Sequence, residues 1–144
     1  MNNDKLPQSA HDILKAASFF SDLTPDARTS LERAASRRTY NTEQAILLEG
    51  DPCSGMYILE DGWLKVSKIG MDGREQILKT LKSGDVFNAL SVFTDAPSQA
   101  TITALETSTI WLIQRKTLIK LINEYPSLAH QVIGELAGKV QYLI

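Results

Sequence analysis

Apolar and polar residues follow different periods in three successive parts of the chain. Up to about residue 36 the apolar residues recur at helical spacing, and Ser9 and Thr24 stand where the N-caps of two short helices are expected. Between residues 37 and 114 the pattern becomes strand-like, and helical spacing returns from Arg115. The pattern predicts a helical lead-in at 1–36, a β-rich core at 37–114 and C-terminal helices at 115–144.

The central part predicts eight short strands separated by turn residues. Asp61-Gly62 is typical of a tight β-hairpin, because glycine accepts the positive φ of such a turn. Leu64 and Val66 alternate with polar neighbours, so both are expected to face inward. These short strands with regular turns predict a mainly β fold with flanking helices, built as an antiparallel sandwich or jelly roll. The strand candidates are 38–40, 46–49, 56–60, 63–68, 75–81, 86–87, 100–105 and 109–114.

The last predicted helix, which starts at Pro126, is apolar on two sides. One side can pack on the core while the other meets a second surface, although both sides could also be buried within one domain. Gly134 and Gly138 each lower helix stability by up to about 1 kcal/mol relative to alanine, which suggests a close helix–helix approach. The helix continues to the final residue without a stop signal, so we expect a truncation within it. The two stripes are Leu128, Val132, Leu136, Val140 and Leu143, and Ala129, Ile133, Ala137 and Ile144.

The charge balance argues against a nucleic-acid-binding surface in this chain. The 144 residues carry a formal net charge of −2 and no basic run longer than Arg37-Arg38, and 43% of them are hydrophobic, enough for one core. A single cysteine, Cys53, excludes an internal disulfide and a four-thiolate iron–sulfur cluster, and it has no cationic neighbour that would activate it. Neither a secretory signal nor a long apolar run occurs, so we expect a cytoplasmic protein without membrane contact.

Candidate catalytic chemistry is sparse. The two histidines, His11 and His130, lie on predicted helices, so they cannot form the multi-histidine site of a metal-dependent jelly-roll enzyme. No motif of a serine hydrolase, a P-loop protein or a zinc protease occurs. We therefore expect no catalytic residue, no metal site and no enzyme activity. Five carboxylates lie near turns, where solvation is expected: Asp51, Glu60, Asp61, Asp72 and Glu75.

Residues 84–101, here called the cassette, carry the most informative pattern. After the turn Gly84-Asp85 a helical turn starts near Asn88, and its free N–H groups would suit an anion. The segment resembles the phosphate-binding cassette of cyclic-nucleotide-binding domains, in which Gly-Asp-apolar-Phe-Gly-Glu-Leu is followed by Arg-Ser/Thr-Ala-Thr. The chain from about Phe19 to Ile144 resembles the sensor half of Crp/Fnr-type bacterial transcription regulators. The frame of the motif is kept at Gly84, Asp85, Phe87, Leu90, Ala100 and Thr101.

The positions that hold the ligand in that family differ here. Asn88 replaces a glycine, and Ala89 replaces the carboxylate that would bind the ribose hydroxyl. Ser98 and Gln99 replace the arginine and the hydroxyl that would bind the cyclic phosphate. Charge-assisted hydrogen bonds contribute roughly 1.5 to 3 kcal/mol each, so two losses imply an affinity for cyclic AMP weaker by on the order of a hundredfold.

Replacement contacts are not obvious from the sequence. Leu143 and Ile144 stand where cyclic-AMP-binding relatives place the hydroxyl pair that contacts the purine. Arg74, Lys79 and Lys82 could supply charge, although their places on strands and turns favour solvent. The effector, if not a cyclic nucleotide, would be another small molecule, and no resident cofactor is implied. By resemblance the ligand-contacting positions are Gly84, Phe87, Asn88, Ala89, Leu90, Ser91, Ser98, Gln99 and Ala100.

The resemblance implies a double-stranded β-helix, or jelly roll, that senses an effector and pairs through its C-terminal helix with a second copy. DNA and RNA polymerase would be contacted only by a helix-turn-helix domain beyond residue 144. The alternative is a cyclic-nucleotide-binding module that regulates a kinase, a channel or a transporter, and a cupin-like enzyme is a third reading. The expected dimer contacts are Ile133, Gly134, Ala137, Gly138, Gln141 and Ile144.

Overall fold

Two short helices open the part of the chain that the computed structural model describes, residues 9–143. The hydroxyls of Ser9 and Thr24 each accept a hydrogen bond from the amide three residues later, at 3.2 and 3.4 Å, so both predicted N-caps are confirmed. The second helix ends before residue 36, because Ala35 already pairs with Ile113 in a sheet. The bounds are α1 Ala10–Ala16, a 3-10 turn Ser18–Phe20, and α2 Pro25–Ala34.

Eight strands follow and form two four-stranded antiparallel sheets, which confirms the predicted mainly β fold. The first sheet has the order β1-β8-β3-β6 and the second the order β2-β7-β4-β5. Each predicted strand is present, with ends that differ by a few residues. The strands are β1 Ala35–Tyr40, β2 Ala45–Leu47, β3 Gly55–Asp61, β4 Trp63–Ile69, β5 Glu75–Lys82, β6 Val86–Phe87, β7 Thr101–Ala104 and β8 Ser108–Gln114.

The pairing shows how the chain builds a jelly roll. β4 and β5 form a hairpin, and moving outward along the chain β3 pairs with β6, β2 with β7, and β1 with β8. The chain is therefore one long antiparallel ribbon that is folded over into two layers. Two further pairs, β3 with β8 and β4 with β7, close each sheet sideways. This wrapped ribbon is the architecture that the strand pattern and the family resemblance predict.

The hairpin predicted at Asp61-Gly62 is wrong. β3 and β4 flank this turn but lie in different sheets, so the turn is a corner at which the chain passes from one layer to the other. Gly62 has a φ of +130°, and a Cβ there would collide with Ser108, so the corner requires glycine for space as well as for backbone conformation. The β4–β5 hairpin turns instead at Gly70–Gly73, where the Gly73 amide donates to the Gly70 carbonyl at 2.9 Å.

Three more helices complete the described residues. α3 spans Ala89–Thr94, α4 spans Arg115–Glu124 and α5 spans Pro126–Leu143, so the predicted return to helix at Arg115 and the restart at Pro126 are confirmed. Among residues 9–143, no helix combines the length and the hydropathy that crossing a membrane requires.

Two hydrophobic clusters meet at β3. Met56 and Ile58 belong to a cluster that they share with buried residues of the helices, whereas Tyr57 and Leu59 belong to the cluster between the sheets. Every residue from Gly55 to Glu60 is accordingly buried. The predicted inward positions Leu64 and Val66 are confirmed by their burial, and Ile102 and Ala104 on the neighbouring strand β7 are buried as well.

Glu60 corrects another expectation, because this carboxylate is 8% exposed rather than solvated. Both of its oxygens accept hydrogen bonds from Arg37 at 3.1 Å, and the Trp111 indole N–H donates to Oε1 at 2.8 Å. This bond to Glu60 raises the pKa of Arg37. The three side chains join β1, β3 and β8 across the outer face of the first sheet.

Removing the arginine of this group is expected to destabilise the fold. In Arg37→Ala the Glu60 carboxylate stays buried with fewer donors, and because the Arg37 side chain is 34% exposed we expect a loss of about 1–3 kcal/mol in the free energy of unfolding. Urea denaturation measures the change. Arg74→Ala, which removes an arginine that is 87% exposed, is the control and should stay within about 0.5 kcal/mol of the parent. Equal stability of both variants would contradict the assignment.

Candidate ligand-binding site

A cavity of about 440 Å³ lies between the second sheet, the cassette and α5. Its apolar wall comes from Val66, Leu78, Leu81, Ile102 and Leu136, together with Phe19, Val86 and Phe87. Phe87 is fixed by stacking on Tyr57, with ring centroids 5.0 Å apart and planes 7° from parallel. The cavity thus has a largely apolar wall, one side of which comes from a C-terminal helix.

The structure brings together most of the residues that the resemblance singles out. Phe87 to Ser91 and Ser98 to Ala100 all line the cavity. Gly84 does not, because it lies at the turn before β6 with a φ of +95° and serves the backbone.

Asn88 holds the cassette in place rather than pointing at a ligand. Its backbone is left-handed, with φ +67°, which explains why the family uses glycine there and why asparagine is an acceptable replacement. The side-chain nitrogen of Asn88, Nδ2, donates to the Gly55 carbonyl at 2.8 Å and lies 3.8 Å from the Cys53 sulfur. Only six residues of helix follow, so the helix start expected to attract an anion contributes one short turn.

The serine hydroxyls of the cassette are also used within the loop. Ser98 is 5% exposed and donates to the Ala100 carbonyl at 2.8 Å, and its backbone N–H and C=O bond to Asp51 and Gly50 at 2.8 Å each. Ser91 donates to the Pro97 carbonyl at 3.5 Å. Of the polar cassette side chains on the cavity, the exposed Gln99 is the one not engaged in this way.

Arg115 fastens the far end of α3. Its Nε donates to the Val92 carbonyl at 2.8 Å and lies 3.4 Å from a carboxylate oxygen of Asp95. The Arg115 amide also donates to the Ser54 carbonyl at 3.1 Å. Sequence reasoning missed this contact, because an arginine at the start of a helix gives no sign of a partner more than twenty residues away.

The charge of the cavity is positive. Lys68, Lys79 and Lys139 line it, and among residues 9–143 no carboxylate and no arginine does. Of the cations considered from the sequence, Lys79 reaches the cavity, whereas Arg74 lies 4.0 Å from Asp72 at the hairpin turn. Lys68 and Lys139 were missed. The position of Lys68, two residues after the inward-facing Val66, was the signal that could have found it.

Comparison with known proteins identifies the family of this fold. A family model described as a cyclic nucleotide-binding domain matches residues 37–125. This range begins within β1 and contains β2 to β8 and the whole cassette. The chain belongs to the cyclic nucleotide-binding domain family.

Relatives of this cyclic nucleotide-binding domain are regulatory proteins. It is 25% identical over 130 residues to a CRP-like cAMP-activated global transcriptional regulator of Mycobacterium tuberculosis, with 90% of this chain and 58% of the regulator covered. It is 31% identical over 111 residues to a cAMP-dependent protein kinase regulatory subunit of Debaryomyces hansenii, with 77% and 24% covered. The crystal structure of the N-terminal domain of a transcriptional regulator from Streptomyces coelicolor A3(2) matches with a TM-score of 0.80, 25% identity and 92% of both chains. These matches confirm the resemblance drawn from the sequence.

The histidines of this cyclic nucleotide-binding domain lie away from the cavity. His11 Nδ1 is 2.7 Å from Glu32 on the surface of the lead-in helices, and His130 is exposed on α5. Within residues 9–143, no three His, Cys, Asp or Glu side chains are grouped so that they could hold a metal ion.

The face of α5 that the sequence assigns to a dimer is open to solvent in the single chain. A Cβ added at Gly134 or Gly138 meets no atom within 4 Å, so packing within residues 9–143 does not account for these glycines. Ile144 lies outside the described residues. The exposed members of the predicted set are Ile133, Gly134, Ala137, Gly138 and Gln141.

Cys53 is half-buried beside the cassette, and its burial raises the pKa of the thiol above its usual value, although the Gly55 amide and Arg115 oppose the rise. At neutral pH the group is therefore a protonated thiol, and a protonated thiol is a poor nucleophile.

Alkylation of Cys53 by iodoacetamide should be slower in the folded protein than in urea at pH 8. Because folding raises the pKa of the thiol, the folded protein has a smaller thiolate fraction at pH 8 than the unfolded chain has. The folded rate should therefore keep rising as the pH passes 9. Mass spectrometry of timed samples gives both rates. A folded rate equal to or above the unfolded rate at pH 8 would show an activated thiol and contradict this assignment.

Proposed function

We propose that this chain is the effector-sensing domain of a cytoplasmic Crp/Fnr-type transcription regulator and that it binds cyclic AMP weakly or not at all. One observation carries the proposal: the family's cavity is formed, but its lining within residues 9–143 holds neither an arginine for the phosphate nor a carboxylate for the ribose. The positions that would supply them by resemblance, Ser98 and Ala89, line the cavity with a short hydroxyl and a methyl group. The proposed role is regulatory and involves no catalysis.

DNA binding is proposed for a further domain. The chain spans 58% of the length of the mycobacterial regulator that it matches, which is consistent with a helix-turn-helix domain beyond residue 144 that contacts DNA and RNA polymerase. The effector would act by binding one arrangement of the sensor more tightly than another.

A homodimer through α5 is part of the proposal. From Ile133 onward, α5 exposes large apolar side chains to solvent. The exposed fraction is 65% for Ile133, 59% for Val140 and 84% for Leu143. Water contact with so many neighbouring apolar groups is unfavourable, and a second copy of the helix would cover them. The two glycines between them would let the helices approach closely.

A regulatory module of a protein kinase is the second candidate. The 31% identity to the kinase regulatory subunit, over 77% of this chain, favours it. The 18-residue α5, which exposes large apolar side chains from Ile133 onward, favours the transcription regulator. A final helix that only docks on the cassette would need just one apolar side.

Isothermal titration calorimetry with cyclic AMP tests the proposed loss. We expect no binding at micromolar concentrations for the parent chain, and the same for cyclic GMP. The double variant Ala89→Glu with Ser98→Arg restores both charged partners and should gain on the order of a hundredfold in affinity for cyclic AMP.

The matched control is Ala89→Gln with Ser98→Met, which adds similar volume without charge and should gain nothing. Micromolar binding of cyclic AMP by the parent chain would refute the loss. An equal gain by the uncharged control would show that volume, not charge, limits binding.

Dimerisation is tested by sedimentation velocity of the 144-residue chain. Ile133→Glu with Ala137→Glu places two carboxylates on the exposed face of α5 and should convert a dimer to a monomer, because like charges would face each other across the two-fold axis. Asn123→Glu, an exposed change on α4, is the control and should leave the dimer intact. A parent chain that is monomeric at all concentrations up to about 100 μM, where interfaces of standard size associate, would count against the pairing.

A further inference from the structure

Two of the three cavity lysines lie on the inward face of the β4–β5 hairpin. Along β4, Leu64, Val66 and Lys68 succeed one another on one face, and along β5 Leu81 and Lys79 do the same. The register places Val66 opposite Lys79, with Leu64 opposite Leu81. The inward face of the hairpin therefore changes from buried apolar residues to cations where it reaches the cavity.

The inward lysines Lys68 and Lys79 differ from Lys65, an outward lysine of β4. Lys65, which faces out, donates to Glu75 at 3.0 Å. Among residues 9–143, no carboxylate forms an ion pair with Lys68 or Lys79. Lys65 is thus paired with a carboxylate of the hairpin itself, whereas Lys68 and Lys79 are available to a ligand.

The third lysine comes from α5. The Lys139 ammonium lies 5.9 Å from the centre of the Phe19 ring, so this exposed side chain reaches the wall of the cavity. Next to it on the wall, Leu136 extends the apolar lining. Three cations from three elements therefore face one cavity whose described lining has no negative charge.

We propose that the effector of this domain is a small organic anion, with an apolar body against the barrel wall and a phosphate or carboxylate group held by Lys68, Lys79 and Lys139. This proposal rests on the proposed sensor function and names the ligand class. Ammonium groups bind either anion as compact point charges without the planar fork that an arginine offers. The apolar wall provides the affinity for the body of the ligand.

The same contacts would link the hairpin to the helix. Lys68 and Lys79 belong to β4 and β5, whereas Lys139 belongs to the helix whose outer face is exposed. An anion that contacts all three favours the arrangement in which the hairpin and α5 are closest. The ligand would bind that arrangement more tightly than one in which the hairpin and α5 are further apart, and this is the difference in affinity that a switch requires.

Binding of the fluorescent anion 8-anilinonaphthalene-1-sulfonate tests the site, with N-phenyl-1-naphthylamine as the probe of the same aromatic skeleton without the sulfonate. Lys68→Gln, Lys79→Gln and Lys139→Gln should each weaken the sulfonate probe by about five- to tenfold and leave the neutral probe within about twofold. Lys65→Gln, which removes the same charge from the outward face of β4, should change neither. Circular dichroism and the melting temperature confirm that each variant is folded.

Displacement of the sulfonate probe then distinguishes the two head groups. Hexyl phosphate, hexanoate and 1-hexanol share a six-carbon tail and differ in the head group. If either anion displaces the probe at a lower concentration than the alcohol does, the result supports the proposal and identifies the head group. The proposal would be overturned if Lys65→Gln weakened binding of the sulfonate probe as much as the three cavity variants do. It would also be overturned if hexanol displaced the probe at concentrations as low as those of both anions.

These outcomes are separate from the test of the sensor function. The lysine variants could bind the sulfonate probe as tightly as the parent while cyclic AMP binding is weak and the dimer is intact. In that case the sensor function stands and its effector is not an anion. Micromolar cyclic AMP binding would refute the proposed loss whatever the lysine variants show.

Discussion

Burial of β3 on both faces is the constraint on which the rest of the structure depends. Met56 and Ile58 pack against the helices, while Tyr57 and Leu59 pack between the sheets, and full burial of such side chains contributes about 1.5–3 kcal/mol each. Because β3 pairs with both β8 and β6, the strand also fixes where the cassette begins. A polar residue on either face would weaken the barrel and the helical layer together. The cavity, which is bounded by the cassette, the second sheet and a helix, exists because these parts are tied to one strand.

The cassette is held in its conformation by hydrogen bonds within the protein. Ser98 bonds to the Ala100 carbonyl within the loop, and Asn88 bonds to the carbonyl of Gly55 at the start of β3. Arg115 of α4 donates to the Val92 carbonyl from outside the cassette. These bonds do not depend on a bound phosphate.

Local patterns predicted the elements well and predicted partners poorly. The strands were found because turn residues separate them and because apolar and polar residues alternate in strands such as β4 and β7. The caps at Ser9 and Thr24 were found because their hydrogen bonds are local. Asp61-Gly62 was misread because a glycine turn looks the same in a hairpin and in a corner between sheets. Glu60 was misread because its donors, Arg37 and Trp111, are distant in sequence. The cavity positions of the cassette followed from the family motif, whereas the convergence of Lys68 and Lys139 depends on the three-dimensional fold.

The distribution of charge around the cavity has a consequence for how such a domain can respond. In the family pattern, the phosphate and ribose contacts both belong to the cassette, so a ligand is held first by one loop. In the proposed site the contacts are divided between the hairpin and α5, and the cassette contributes shape. A ligand held in this way stabilises the relative position of two elements rather than the conformation of one. Because α5 also carries the exposed apolar face, the position that the anion stabilises is that of the surface proposed to pair with a second copy.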